Sequence, residues 1–167
     1  YGFSQLLKFV RGLRIYNYKK RGRLLFFGKN VSLFNRSNIR FGENVMIGNY
    51  VKLSALGKKT LKIGNNVNIG SFSQLIISTS FNKFGEFIEI GDNVGIGEFS
   101  YIGGGGGTSI GANTIIGQYL SIHPENHIFS DNNKLIRNQG VTRNGVRIGT
   151  NCWIGSKVTI LDGVEIG

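Results

Sequence analysis

Ile90-Gly91-Asp92-Asn93-Val94-Gly95-Ile96-Gly97-Glu98-Phe99-Ser100-Tyr101-Ile102-Gly103 is the stretch that decides the fold. An isoleucine followed by glycine stands at 90, 96 and 102, and a small or β-branched residue, Val94 or Ser100, follows four places after the first two. A period of six fits neither the 3.6-residue turn of a helix nor the plain alternation of a lone strand. It fits a short strand and a glycine-assisted corner, repeated.

Outward from this stretch the same apolar-Gly pair returns at Phe41, Ile47, Ile63, Ile69, Ile110, Ile116, Ile148 and Ile154, with Val45, Val51, Val67, Ser73, Thr114, Cys152 and Val158 at the small position. The key positions fall in triplets: 41, 47, 53; 63, 69, 75; 90, 96, 102; 110, 116, 122; 148, 154, 160. Position 166 opens another turn. Three sixes close one three-sided coil, and every longer step comes after the third side. Excursions near 54–62, 76–89, 103–109 and 123–147 should therefore leave one corner and stack along one edge. The Ile and Val ladders fill a narrow interior, and strands of successive coils lie about 4.8 Å apart. The uninserted corners are too tight to carry a site, so function is sought on the inserted edge.

Composition agrees. A chain of 167 residues fits one domain with a short appendage. Twenty-six glycines with a single proline exclude collagen, and 40% hydrophobic against 17% charged residues describes a globular chain rather than a disordered one. No apolar run of about 18 residues exists to span a membrane. Cys152 is the one cysteine, so no internal disulfide forms; at an inward small position it reads as core, not as a nucleophile.

The net charge of +11 belongs to one end. Residues 1–42 hold ten of the 20 bases and no acid, whereas residues 43–167 carry ten bases against nine acids. In that end Phe3, Leu6, Leu7, Val10 and Leu13 recur at helical spacing with Lys8, Arg11 and Arg14 between them. The pattern divides the chain into a basic amphipathic helix or cap, 1–24, and a coiled domain, 25–167, that carries the protruding loop 123–147. The helix caps the open end of the coil with its charges solvated, or it makes peripheral contact with an anionic membrane; nucleic acid is set aside.

The repeat resembles that of the hexapeptide-repeat acyltransferases, over about residues 27–167. The resemblance implies an all-β fold, a left-handed parallel β-helix with the short N-terminal helix appended, and a homotrimer. Crossover sterics alone would favour the right-handed coil, so the hand is the family's. The resemblance also implies further coils beyond Ile166-Gly167, so the C-terminal end reads as truncated.

Both histidines, His123 and His127, and the sole proline, Pro124, meet on the longest excursion. Imidazole is neutral and basic near pH 7, which suits removal of a hydroxyl proton. The run Ser121-Ile122-His123-Pro124-Glu125-Asn126-His127-Ile128-Phe129-Ser130-Asp131 and the later Gly149-Thr150-Asn151-Cys152-Trp153-Ile154-Gly155-Ser156 are similar to the O-acetyltransferase branch, which includes the maltose, galactoside and streptogramin enzymes and many surface-polysaccharide enzymes. That resemblance implies acetyl transfer from acetyl-CoA to a sugar hydroxyl in a ternary complex, with no metal required, in the cytoplasm or at the inner face of its membrane. It makes a loop histidine the general base. His127 matches the streptogramin type and is preferred; His123 matches the galactoside type and is the alternative. Glu125 and Asp131 are candidates to orient the imidazole. Trp153, Gly155 and Ser156 match coenzyme-binding positions, and Trp153 should point outward near the active edge, walling the acyl pocket or entering a subunit interface.

The glycine run Gly103–Gly107 is not a phosphate loop, because no Lys-Ser or Lys-Thr follows and no helix opens after it. It is either a bare surface for close substrate approach or a tightly packed turn. Two rival functions share the architecture: a catalytically inactive scaffold, and a zinc carbonic anhydrase, for which two histidines are one short.

Overall fold

A computed structural model describes residues 2–15 and 24–167, with Phe3, Arg14 and Ile15 described as backbone alone. Residues 16–23 of the expected N-terminal cap, Lys19, Lys20, Arg21 and Arg23 among them, lie outside the described residues. The described chain begins with a helix, α1 (Gly2–Ile15), and continues as a three-sided parallel coil. The first face stacks Leu25–Phe27, Val45–Ile47, Asn68–Ile69, Gly95–Ile96, Ile115–Ile116 and Trp153–Ile154. The second stacks Ser32–Phe34, Lys52–Ser54, Gln74–Ile76, Tyr101–Gly103, Ser121–His123 and Thr159–Leu161; the third stacks Ile39–Phe41, Leu61–Ile63, Ile88–Ile90, Thr108–Ile110, Val146–Ile148 and Glu165–Ile166. The fold is the expected left-handed parallel β-helix.

Register follows the repeat. Ile47 sits beside Ile69, Leu53 beside Leu75 beside Ile102, and Ile63 beside Ile90. Every key position from Phe41 to Ile160 is buried. The small positions point inward too, and their hydroxyls are satisfied there: Ser73 and Ser100 donate to the Gly97 carbonyl and Thr114 to that of Gly149. Cys152 is half-buried against the core in the last coil.

The two uninserted corners show how the six-residue period is built. Between the third and first faces, Asn44, Asn66, Asn93, Asn113 and Asn151 all adopt positive φ. The first four form an amide ladder, each side chain donating to the next at 3.0 Å. Between the first and second faces the positive-φ residues are Asn30, Lys157 and four aromatics, Tyr50, Phe72, Phe99 and Tyr119. Their rings stack almost parallel, with centroids 5.2, 4.9 and 5.1 Å apart. An aromatic residue in that backbone region costs roughly 1–2 kcal/mol, and each stacked pair offsets about 0.5–1.5 kcal/mol of it. The repeat glycines do not make these turns. A Cβ at Gly48 would lie 2.5 Å from the Ser71 nitrogen, and one at Gly97 2.5 Å from that of Gln118, so glycine is needed for the approach of one coil to the next.

α1 lies on the free edge of the coil. Gly12 is buried where a Cβ would overlap the Leu25 carbonyl, and the Phe9 ring lies 5.9 Å from that of Phe26. Leu25–Phe27 is the outermost strand of its sheet, so the helix covers an edge that would otherwise present unpaired backbone groups.

Candidate active site

The third corner, between the second and third faces, carries all four excursions, and they touch in order. Gly57 bridges Gly85, and Lys58 and Lys59 donate backbone N–H groups to Gly85 and Glu86. Glu86 then donates to Gly104, and Gly104 to Ile76. The glycine run packs between the second and fourth excursions. A Cβ at Gly104 would lie 2.8 Å from the Phe87 carbonyl, and at Gly105 2.5 Å from the Glu125 carboxylate, while one at Gly106 would overlap the Pro124 carbonyl. The packed-turn alternative is therefore the one realised, though Gly103–Gly105 also line the cleft described below.

The fourth excursion is a braced arm. Asp162 ties its base to the last coil, accepting the Asn144 and Gly145 backbone N–H groups and the Thr142 hydroxyl, each at 2.8 Å. A two-stranded antiparallel ribbon pairs Asn126 with Thr142 and His127 with Val141. Beyond it a short helix, α2 (Ile136–Gln139), ends in Gln139, whose amide bonds the Asp131 and Lys134 carbonyls and accepts the Asp131 N–H. Arg143 locks the arm to the second excursion: Nε donates to Glu125 Oε2 at 3.0 Å and Nη1 to the Phe84 carbonyl at 2.8 Å.

These two excursions border a small open cleft lined by Tyr101, His123, Pro124, Glu125, Arg143 and Lys83. The His123 ring stacks on Tyr101 at 5.3 Å, and its Nε2 lies 2.8 Å from the Ser121 hydroxyl. Burial, and then the Glu125 charge, push the Tyr101 phenol above its ordinary pKa, so it stays a neutral donor through the physiological range.

The site residues separate into groups. His123 and Glu125 share the cleft; His127 does not line it and stands exposed on the ribbon. Neither acid orients an imidazole within one chain: Glu125 is paired with Arg143, and Asp131 with Lys134 at 3.1 Å. Trp153 points outward as expected, 83% exposed, but from the first face, opposite the excursion edge, so it is not beside the active edge of its own chain. Gly155 and Ser156 follow it into the aromatic corner, where the Ser156 hydroxyl donates to Gln118. Tyr101, Arg143 and Asp162 escaped the sequence reading. Tyr101 was within reach of it, since the coil register sets position 101 directly beside 121. Arg143 and Asp162 carry no periodic signal. Among the described residues no three His, Cys, Asp or Glu side chains gather as a metal site, and no helix is long and apolar enough to cross a membrane.

No family model, curated protein or solved structure matches the chain.

Proposed function

We propose that the protein is an O-acetyltransferase that moves an acetyl group from acetyl-CoA to a sugar hydroxyl in surface-polysaccharide synthesis, working as a homotrimer. The observation that carries the reading is a pair of unpartnered surfaces on opposite sides of one prism. The arm bearing both histidines exposes Phe129, Leu135 and Ile136, while the first face exposes Trp153 beside Ile115. A head-to-tail arrangement brings the two surfaces together, and a threefold ring closes it. His127 of one subunit then faces Trp153, Gly155 and Ser156 of the next.

Trp153 and Ile115 offer an apolar wall that fits the pantetheine arm of the donor, which supplies the activated thioester carbonyl. The remaining tasks fall to the chain's own residues. His127, exposed on a ribbon fixed at its base, takes the proton from the acceptor hydroxyl. His123, Tyr101 and the Glu125–Arg143 pair line the cleft at the base of the arm and position the sugar through hydrogen bonds. Holding acceptor and base in one geometry removes much of the entropic barrier, and the base adds a typical 10²–10⁴-fold.

Release of free thiol from acetyl-CoA, measured with a panel of sugar acceptors alongside zinc content, tests the reading. Acceptor-dependent thiol release is expected. Stoichiometric zinc would favour an anhydrase, and neither thiol release nor zinc would favour an inactive scaffold.

A further inference from the structure

The N-terminal helix has a second face that capping does not use. Phe9 and Gly12 lie against the first strand, and this is enough to cover its edge. Beside this contact Leu6 is 56% exposed, and Leu7 and Leu13 are 40% exposed each. Leu6, Phe9, Leu24 and Phe26 also line an open apolar groove between helix and strand. Arg11 lies next to Leu7 around the helix with Lys8 beyond it, and the helix carries no acid.

We propose that α1 docks the protein on an anionic lipid surface, with Leu6, Leu7 and Leu13 entering the headgroup–acyl boundary and Lys8 and Arg11 at the phosphates. Charge selects this occupant. A second copy brought to the same face would set its own acid-free helix, with Lys8 and Arg11, against the first, so like charges would oppose each other across the contact. Duplex nucleic acid would engage the bases and leave the leucines in water. An anionic bilayer satisfies both features, since an interfacial helix needs an apolar face and a cationic one. The inference does not depend on acetyl transfer, because it rests on a helix at the other end of the coil from the histidine arm.

The test is sedimentation of the full chain with vesicles of phosphatidylglycerol and phosphatidylcholine, against phosphatidylcholine alone. Binding to the anionic vesicles, weakened by salt, is expected. Lys8→Gln with Arg11→Gln should weaken it by roughly fivefold for each charge removed. Leu6→Ser with Leu13→Ser should weaken it by about tenfold or more. A thermal melt of each variant shows that the fold is kept, and the charge pair tests the proposal independently should the leucine pair misfold. The proposal is overturned by equal binding to both vesicle types, by anionic binding that the leucine pair leaves unchanged, by preference for duplex DNA over vesicles, or by light scattering in which the leucine pair dissociates an oligomer.

Discussion

The asparagine and aromatic corners and the excursion corner are built from the same coils but by different rules. At the first two, each residue's partners are its own counterparts one coil away: Asn66 bonds Asn44 and Asn93, and Phe72 stacks between Tyr50 and Phe99. At the third, partners come from unrelated positions, as when Arg143 joins Glu125 to the Phe84 carbonyl. The periodic corners supply regularity, and the aperiodic one supplies a cleft and an arm. Repeat regularity and the candidate site thereby lie on different edges of the prism.

Substitutions at three positions test this division, in descending order of effect. Val67 is 1% exposed in the shared interior, so Val67→Asp places an unpaired charge there and should prevent folding altogether, read as loss of the cooperative thermal transition. At the asparagine corner, Asn93→Ala removes two ladder bonds and leaves a non-glycine residue at φ 57°, which should cost about 2–3 kcal/mol in a denaturant melt. Asn93→Gly should recover roughly 1 kcal/mol of this, because only the bonds are then lost. Equal melts for the two would mean that the positive φ is not strained. At the excursion corner, Arg143→Ala should cost about 1 kcal/mol or less globally, since the pair is partly solvated, yet speed hydrogen exchange across 123–147. A large global loss there would dissolve the distinction between the edges.

Assembly sharpens the same comparison from outside. Phe129→Ser with Trp153→Ser should leave each coil folded and yield monomers by light scattering where the proposed head-to-tail ring gives a trimer, because both side chains are exposed in the single chain.

What the sequence made legible follows the same line. The triplet spacing fixed the coil, its register and the single edge of excursions, because each coil repeats the constraint on the last. Its account of the turns was incomplete: glycine marks the corner, but positive φ belongs to Asn93 and Phe99, and Gly97 serves close approach. The arm was located by its length and its histidines, not by its bracing, since Asp162 meets Asn144 only after the chain has completed another coil. Opposite sides of the prism could have been foreseen for Trp153 and the arm, as position 154 belongs to the second key of its triplet and the excursions follow the third.

The central claim is that the arm's histidine performs the proton transfer, and turnover by the two histidine variants tests it most directly. His127→Ala should lower kcat for acceptor-dependent thiol release by about 10²–10⁴-fold with coenzyme binding largely kept, while His123→Ala, a positioning change, should act mainly on KM for the sugar. Abolished turnover in His123→Ala together with near-normal turnover in His127→Ala would contradict this account and make the cleft imidazole the base.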